Sequence, residues 1–487
     1  MAEAPLAPRA PYQIVGLFAG PFAALAILAL VPGEALPWPA TATAAVAVLM
    51  ALWWATEAIP VPVTALLPLV LLPLLQVAPF REAATPYAHP IVYLFLGGFI
   101  TAMAVERSGL HRRMALAIFA GVGAHARAII GGFMATAALI SMWMSNSSTT
   151  LMLLPIALSV VSVVTETVPG LSDRDRRNFG TVVLLGLAYG ATIGGMSTLV
   201  GTPPNAFLSG FMAETYGIDI DFGRWMMVGL PVTVIMLPLA WLLLTRVLYP
   251  VAFAATPETT RHLRGMRSEL GAMTPAEIRT AVVFLTLIAC WMFRRQLQTL
   301  PGLDMLNDSV IAMAAAVSLF LIPAGGGQAG PLLRWSDLDR LPWGVLILFG
   351  GGLSLAAAVS GSGLAAWLGQ QLSGLGAINL VVLILCATAL VIFLTELTSN
   401  LATAATFLPV MGAIATETGQ APLVFIVPVA LAASCAFMLP VATPPNAIVF
   451  SSGHVTIPQM VRAGFILNLI GVILLSVVAT VLAPAVF

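Results

Sequence analysis

Long apolar stretches follow one another along the chain, separated by short polar connections. A helix that crosses the hydrocarbon core of a bilayer needs about 20 consecutive, mostly apolar residues. By that measure the pattern predicts an all-α polytopic membrane protein with about 11 transmembrane helices. The predicted spans are residues 13–32, 42–58, 61–78, 90–107, 179–212, 225–250, 276–293, 306–323, 343–360, 422–452 and 461–483.

Two more apolar stretches, 127–170 and 378–417, have a polar cluster at the centre. The first polar cluster is WMSNSSTT at 143–150, and the second is centred on Ser399 and Asn400. One interpretation is two complete spans joined by a polar surface loop, because Ser, Asn and Thr are ordinary loop residues. The other is a re-entrant hairpin, whose irregular tip must be buried in protein or line a wet cavity. We favour two re-entrant hairpins, whose tips would meet near the bilayer midplane as in secondary transporters.

The second half of the chain repeats the first. LFLGGFITAMAVERSGL at 94–110 aligns with LFGGGLSLAAAVSGSGL at 348–364, an offset of 254 residues. The same offset places the second polar cluster on the first without a gap. A further pair, GTPPNA at 201–206 and ATPPNA at 442–447, follows at an offset of 241. An internal repeat of this kind determines the architecture, so the sequence predicts two halves of related fold.

The placement of arginine predicts that the two halves are inverted. Four arginines lie between residues 106 and 127, whereas the corresponding stretch 360–381 has no basic residue. Cytoplasmic loops are enriched in basic residues, which predicts inverted-topology repeats and a cytoplasmic N-terminus without a cleaved signal peptide. Further arginines in 251–275 predict a cytoplasmic linker. Arg294 and Arg295 disagree, because the same count places them on the outer side.

These features divide the chain into four predicted parts. Residues 1–40 hold the N-terminal segment and first span, 41–250 the first repeat, 251–275 the linker, and 276–487 the second repeat. Each repeat contains one hairpin and one broken helix. The hairpins are 127–170 and 378–417, and the broken helices are 179–212 and 422–452.

Each polar cluster begins a helix, which makes it a candidate ion site. Ser and Asn are favoured N-cap residues, and the first turn of a helix has free backbone N–H groups. Those donors and the positive end of the helix dipole attract an anion without any arginine or lysine. Oxygen atoms of the same cluster can coordinate a small, hard cation. One short motif can therefore hold both ions.

The two PPN motifs interrupt a helix in each half. Their proline pairs remove backbone donors and leave carbonyl groups unpaired. In an apolar environment such carbonyl groups need a partner, either a cation or water. The alternative is a simple proline kink between packed helices. Asn205 and Asn446, the asparagines of the two motifs, are open to two roles, as ligands or as groups that satisfy the turn.

Composition excludes several classes of protein. The 487 residues are 60% hydrophobic and 8% charged, whereas soluble domains carry about 25% charged residues. A net charge of zero excludes a basic surface for nucleic acid. The three cysteines lack the spacing of a disulfide or metal site, and the five histidines form no HExxH pair. We therefore expect no enzyme and no cofactor, and paired half-sites of opposite orientation favour alternating access over a channel.

Four segments carry a family resemblance. They are MSNSSTTLMLLP at 144–155, IGGMSTLVGTPPNA at 193–206, TSNLATAATFLPV at 398–410 and FMLPVATPPNAIVF at 437–450. With WWATEAIPVPVTALLP at 53–68, they resemble the divalent-anion/sodium symporters, the dicarboxylate, citrate and sulfate carriers. The resemblance implies a homodimer. Each protomer would combine a fixed scaffold domain with a transport domain that moves by an elevator-type shift.

The resemblance also implies where ions bind. Sodium would use Ser141, Ser145, Asn146 and Gly201 at a first site, and Thr395, Asn400 and Ala442 at a second. The substrate would meet Ser145, Asn146, Ser147, Thr202, Ser399, Asn400, Thr443 and Pro444. The implied activity is sodium-coupled uptake of a divalent anion, a C4 dicarboxylate such as succinate. The alternatives are a sodium-independent dicarboxylate exchanger, or a citrate or sulfate carrier of the same fold.

Two residues leave parts of this hypothesis open. The family signature Ser-Asn-Thr reads Ser-Asn-Leu in the second cluster, so Leu401 removes a hydroxyl that could select the substrate. Glu396 is the best placed of four acidic residues in or beside apolar runs, the others being Glu57, Glu106 and Glu166. It could brace the hairpin or relay a proton. The alanine-rich composition, with arginine as its only basic residue besides histidine, suggests a bacterial inner membrane.

Overall fold

The computed structural model describes residues 9–119, 125–254, 256, 261, 265–266, 268–326, 328–371 and 379–487. The first eight residues, much of the predicted linker 251–275 and the first residue of the predicted second hairpin lie outside these ranges. Within them the fold is helical apart from one antiparallel pair of strands, β1 (Pro323–Gly325) and β2 (Gln328–Pro331).

The helices of the first half, α1 to α12, are Pro11–Leu30, Trp38–Thr56, Val61–Thr64, Leu67–Leu74, Phe80–Ala84, Pro90–Ser108, Leu110–Phe119, Ala126–Ser141, Asn146–Thr167, Asp173–Gly195, Pro203–Tyr216 and Phe222–Leu242. Those of the second half, α13 to α23, are Pro275–Met292, Arg294–Leu297, Asp308–Leu321, Trp343–Gly361, Leu364–Gln371, Leu380–Thr395, Asn400–Glu417, Pro422–Ala433, Pro444–Ser451, Ile457–Val477 and Ala483–Val486. Short 3-10 helices at Thr85–Ala88 and Trp335–Arg340 and π-helical turns at Leu243–Leu248 and Val478–Leu482 complete them.

Polar N-caps and prolines set most of the helix starts. The side chains of Ser172, Thr274 and Asn307 accept hydrogen bonds from backbone N–H groups in the first turns of α10, α13 and α15. Proline occupies the first position of α6, α11, α20 and α21, where its missing N–H costs nothing. Gly109 and Gly217 end α6 and α11 in the left-handed conformation that glycine adopts without strain.

Nine helical segments of the described chain are long and apolar enough to cross a membrane, fewer than the predicted eleven. Three predicted spans, 61–78, 306–323 and 422–452, form only helices shorter than 18 residues. Prolines and irregular turns divide or end these helices, which a count of apolar residues does not detect. Helix α9, which was predicted as one limb of a hairpin, has 22 residues and is long enough to span a membrane. It is the ninth segment among the described residues, beside eight of the predicted spans.

The helix boundaries repeat at the same offsets as the sequence. Helices α8 and α9 begin 254 residues before α18 and α19, and α11 begins 241 residues before α21. We call α8–α9 the first hairpin and α18–α19 the second hairpin. The irregular segment between α10 and α11, residues 196–202, is the first break, and residues 434–443, between α20 and α21, form the longer second break.

Each hairpin packs on the broken helix of its own half and also on that of the other half. Helices α8 and α9 lie against α10, while α18 and α19 lie against α20. In addition α11 packs on α19, and α21 packs on α9. Helices α6, α13 and α15 form a separate group, and α1 packs on α2. This exchange of partners packs the two halves against each other.

The two arginines that disagree with the predicted topology are neutralised in the fold. Arg294 lies 2.9 Å from Asp219 and 3.5 Å from Asp308, and Arg295 lies 2.7 Å from Asp221. Only 9% of the Arg294 side chain is exposed, so its charge is paired inside the protein.

Candidate functional site

The tip of the first hairpin brings three predicted residues together. The Ser145 side chain caps α9 by accepting a hydrogen bond from the N–H of Ser148 at 3.2 Å. Ser141, the last residue of α8, donates its hydroxyl to Asn146 Oδ1 at 2.5 Å. Ser141 is buried, whereas Ser145 and Asn146 are partly exposed. The tip thus combines the side-chain oxygens of Ser141 and Asn146 with the start of helix α9.

Two glycines hold the first break against this tip. A Cβ atom on Gly195 would collide with Asn146 Oδ1 and with the carbonyl oxygen of Gly201. A Cβ atom on Gly201 would in turn collide with the carbonyl oxygen of Gly195. Ser141, Asn146, Gly195 and Gly201 therefore form an oxygen-lined pocket, which we call the first cradle. Hard oxygen ligands of this kind suit a small cation, and three of the four residues belong to the predicted first cation site.

The second hairpin repeats part of this arrangement. The Thr395 hydroxyl lies 2.9 Å from Asn400 Oδ1 and 2.8 Å from the carbonyl oxygen of Ala433, which precedes the second break. The position that corresponds to Gly195 is Ala436, whose methyl group is buried there. No hydrogen bond joins Ala442, the third predicted ligand, to Thr395 or Asn400 in the described part of the chain. Hydrogen bonds thus join two of the three residues predicted for the second cation site.

The asparagines of the PPN motifs close both breaks with their amide nitrogens. Asn205 Nδ2 donates to the carbonyl groups of Thr198 at 2.8 Å and Met196 at 3.1 Å. Asn446 Nδ2 donates to those of Leu439 at 3.0 Å and Ala436 at 3.2 Å. Side-chain amides therefore satisfy several of the carbonyl groups for which a cation or water was expected. The Oδ1 atoms of both asparagines are buried without a hydrogen-bond partner among the described residues.

Glu396 braces the second hairpin against the second break. Its carboxylate accepts hydrogen bonds from the backbone N–H groups of Phe437 at 2.7 Å, Met438 at 3.0 Å and Leu439 at 3.2 Å. The amide of Asn468 on α22 donates to it at 2.7 Å. The carboxylate is 3% exposed and all its recorded partners are donors, an arrangement that supports bracing rather than proton relay.

The first half uses neutral groups for the same connection. Met142 corresponds to Glu396, and its carbonyl oxygen accepts a hydrogen bond from the Thr198 hydroxyl at 2.5 Å. Thr198 also accepts the N–H of Gly201 at 3.0 Å. The link between hairpin and break is therefore ionic in the second half and neutral in the first.

Four helices begin at the hairpin tips and at the ends of the breaks. The N-cap residues of α9, α11, α19 and α21 are Ser145, Thr202, Ser399 and Thr443. Thr202 Oγ1 lies 3.3 Å from Oγ of Ser434 in the second break, which joins the two halves. All four N-caps are hydroxyl residues, and all four belong to the predicted substrate set.

The four N-cap hydroxyls differ in their hydrogen-bond partners. Ser145 and Thr443 each accept a hydrogen bond from the backbone N–H three residues along the chain, at 3.2 and 3.4 Å. Within the described chain the side chains of Thr202 and Ser399 cap no backbone N–H. Thr202 and Thr443 are buried, Ser399 is partly exposed and Pro444 is exposed. The first turn of α19 retains free backbone donors, whereas Pro203 and Pro204 leave the first two positions of α11 without an N–H group.

The two polar clusters differ at the third position of their signatures, Ser147 and Leu401, among others. Ser147 is partly exposed at the first tip, whereas Leu401 is 4% exposed and packs in the apolar core. The missing hydroxyl makes one side of the candidate substrate site more apolar than the other.

The other three acidic residues lie outside the two breaks. Glu57 ends α2 with a φ of 46°, and Glu166 accepts the Ser162 hydroxyl at 2.5 Å on an exposed helix face. Glu106 lies near the end of α6 and is exposed. Among the four acidic candidates, only Glu396 contacts a break.

Sequence reasoning missed three residues of this region. Thr198 and Ser434 lie in or beside the breaks among other small polar residues, so nothing in the pattern distinguished them. Asn468 is different, because it is a fully buried amide in the apolar helix α22. A polar side chain in a spanning segment is itself a signal of a specific partner, and Glu396 is that partner.

Comparisons with known proteins agree with this geometry. A family profile described as the sodium:sulfate symporter transmembrane region matches residues 13–486. Proteins named sodium-dependent dicarboxylate transporter SdcS, from Staphylococcus saprophyticus and Staphylococcus aureus, are 39% and 38% identical to this chain. Both alignments cover 97% of this chain and 92% of the relative.

A solved structure supports the fold alone. The YdaH transporter of Alcanivorax borkumensis, whose crystal structure is described as revealing an unusual topology, aligns with a TM-score of 0.55. The alignment covers 82% of this chain and 86% of that one at 15% sequence identity. Because the family profile spans nearly the whole chain, this integral membrane protein belongs to the sodium:sulfate symporter family, whose members are transporters and not enzymes.

Proposed function

We propose that this protein is a secondary active transporter that couples the uptake of a divalent anion to sodium ions. The substrate is a C4 dicarboxylate such as succinate. The family profile is named for sulfate, and the relatives at 39% and 38% identity are named for dicarboxylates. Both names describe dianions, so the proposal depends on whether the site suits two negative charges.

Four helix starts with hydroxyl N-caps, two at the hairpin tips and two at the ends of the breaks, are the observation that carries the proposal. Each helix N-terminus acts as about half a positive charge, so four of them supply roughly the two charges that a dianion needs. None of the predicted substrate residues is itself charged. Hydroxyl N-caps and free N–H groups can hold a carboxylate at each end of a short dicarboxylate. A site without a fixed cationic side chain also releases its anion more readily.

Sodium is the second substrate in this mechanism. The first cradle gathers oxygens of Ser141, Asn146 and Gly201 beside the start of α9. Asn146 and Asn400 belong to both the predicted cation sites and the predicted substrate site. A bound cation therefore raises the affinity for the dianion, and the dianion raises the affinity for the cation by the same factor. This reciprocity couples the two fluxes.

The proposed architecture follows the four sequence divisions. The chain would comprise the first span in 1–40, inverted repeats in 41–250 and 276–487, and a cytoplasmic linker in 251–275. The hairpins and broken helices would form the transport domain, since they pack on one another. The remaining helices would form the scaffold, with Phe207 of α11 against Phe349 of α16 at 6.3 Å in the apolar contact between them. We further propose a homodimer in a bacterial inner membrane with a cytoplasmic N-terminus.

Uptake by proteoliposomes tests the proposal directly. The purified protein is reconstituted, and labelled succinate uptake is measured with an inward sodium gradient and with potassium or choline instead. We expect uptake that requires external sodium and no internal succinate. An Asn146→Ala variant should lose this uptake, whereas Asn178→Ala, an exposed amide bonded to the Pro250 carbonyl, should keep it.

Other results would redirect the assignment. Sodium-independent uptake that requires internal succinate would make the protein an exchanger. Uptake of citrate or sulfate, but not of succinate, would keep sodium coupling and overturn the substrate. Failure to transport any of the three anions under either gradient would contradict the proposed function.

A further inference from the structure

A cavity of about 570 Å³ opens beside the first hairpin. It reaches Ser145 and Ser148 in the first turn of α9, and its apolar wall includes Phe99 and Met103 of α6. Its volume falls in the range of small-molecule sites. The charged residues that line it are Glu106, Arg107, Asp337 and Arg340. The cavity thus connects a charged rim with a residue predicted for both the cation and the substrate.

Two of the four rim charges neutralise each other. Arg107 forms an ion pair with Asp337, which also accepts the backbone N–H of Arg334 at 2.6 Å. Arg340 and Glu106 are exposed and have no ion-pair partner within the described ranges. The rim is therefore neutral in sum but carries one free positive and one free negative charge.

We infer that this cavity is a shared access route for the dianion and the cation, in which Arg340 steers the anion and Glu106 steers the cation. The inference rests on the proposed function, because only a coupled transporter must admit ions of both signs. Ser145 belongs to both predicted sets, so both ions must reach the same helix start. A uniformly basic rim would attract the dianion and repel sodium. Two separate charges of opposite sign can attract both ions, the positive one the dianion and the negative one sodium.

The steering effect has a definite size and salt dependence. Removing one unit charge near the path of a monovalent ion changes its local concentration roughly two- to threefold in water. Screening over about 10 Å at 0.1 M salt and about 3 Å at 1 M should abolish the effect at high ionic strength. A charge that only stabilises the fold would show neither the sign dependence nor the salt dependence.

Thiol modification inside the cavity measures access without requiring transport. The reporter is Ala102→Cys, on the cavity wall, in a chain whose native cysteines are replaced. Its modification rate is measured with an anionic sulfonatoethyl and a cationic trimethylammonioethyl methanethiosulfonate. Arg340→Gln should slow the anionic reagent two- to threefold, and Glu106→Gln should slow the cationic reagent by a similar factor. Arg112→Gln, an exposed arginine outside the cavity lining, is the matched control and should change neither rate.

The outcomes separate this inference from the proposed function. Equal rates in all variants, or a change shared by both reagents, would overturn the steering roles. A reporter that reacts with neither reagent, at Ala102 and again at Met103→Cys, would overturn the access route itself. If the crossed pattern of rates appears but wild-type vesicles take up no succinate, the cavity assignment stands and the substrate assignment falls. In transporting vesicles, Arg340→Gln should raise the KM for succinate from the cavity side only, by about four- to ninefold, because a dianion doubles the interaction energy of a monovalent ion.

Discussion

Replacing Glu396 by glutamine should weaken the second half of the site without changing its shape. The carboxylate accepts N–H groups from three consecutive residues, Phe437 to Leu439, and from Asn468. Glutamine keeps one acceptor oxygen and turns the other position into an NH₂ donor. If the remaining oxygen faces the donors of Phe437 and Asn468, the new NH₂ group faces the N–H of Leu439. Two donors then oppose each other, and that hydrogen bond is lost.

The magnitude follows from these contacts. A hydrogen bond to a charged group contributes about 1.5–3 kcal/mol, and a neutral one about 1 kcal/mol. One bond is lost and the others become neutral, so we expect a loss of about 3 kcal/mol after allowing for non-additivity. A loss of that size equals roughly a hundredfold change in an equilibrium constant. It should appear partly as lower stability and partly as weaker binding at the second break.

Two assays distinguish bracing from proton relay. Unfolding of the detergent-solubilised protein on heating should shift downward, and half-maximal uptake should need at least about tenfold more sodium. The matched control is Glu166→Gln, which removes a carboxylate that bonds a single serine on an exposed face. A proton relay predicts the opposite pattern, in which sodium dependence persists and the pH profile of uptake flattens. Unchanged stability and sodium dependence in Glu396→Gln would refute the bracing argument.

Three further substitutions test other parts of the site and fold. Gly195→Ala places a Cβ on Asn146 Oδ1 and should abolish sodium-dependent uptake, whereas Gly33→Ala, with no atom within 4 Å of the new methyl, should leave uptake unchanged. Leu401→Thr buries a hydroxyl, so the stability of the ligand-free protein in thermal unfolding should fall by about 1–3 kcal/mol. A hydroxylated dicarboxylate should restore this stability better than succinate does. Equal protection by the two ligands would contradict a selective role for this position. Arg294→Gln removes the buried partner of three aspartates and should lower the stability measured in thermal unfolding by about 3–5 kcal/mol. Arg295→Gln, on the exposed side, should lower it less. Equal losses in the two variants would argue against the buried pair.

Local sequence determined much of what could be predicted. The predicted first hairpin, 127–170, lies within three residues of the bounds of α8 and α9. The reason is physical, because a serine or threonine N-cap followed by asparagine or proline starts a helix regardless of its surroundings. The repeat then transferred each boundary from one half to the other. Helix boundaries that depend on neighbouring residues can be predicted from a single sequence.

The hydrogen-bond partners of the site residues could not be predicted in this way. Glu396 finds its donors 41 to 43 and 72 residues away, and no pattern in the chain pairs them in advance. Asn205 had two possible roles because an amide offers both a donor and an acceptor, and only packing shows that the donor closes the break. The count of spans was too high because apolar composition persists through interruptions such as the irregular residues 434–443 inside the predicted span 422–452.

The second break already contains an anion, and that anion belongs to the protein. Consecutive backbone N–H groups such as those of residues 437–439 form a concave nest that would bind a free carboxylate. Attachment to α18 gives the Glu396 carboxylate an effective concentration in the millimolar range or above at that nest. An abundant dicarboxylate in solution therefore competes poorly for it. The chain thereby supplies the second break with an anion of its own, the side-chain carboxylate of Glu396.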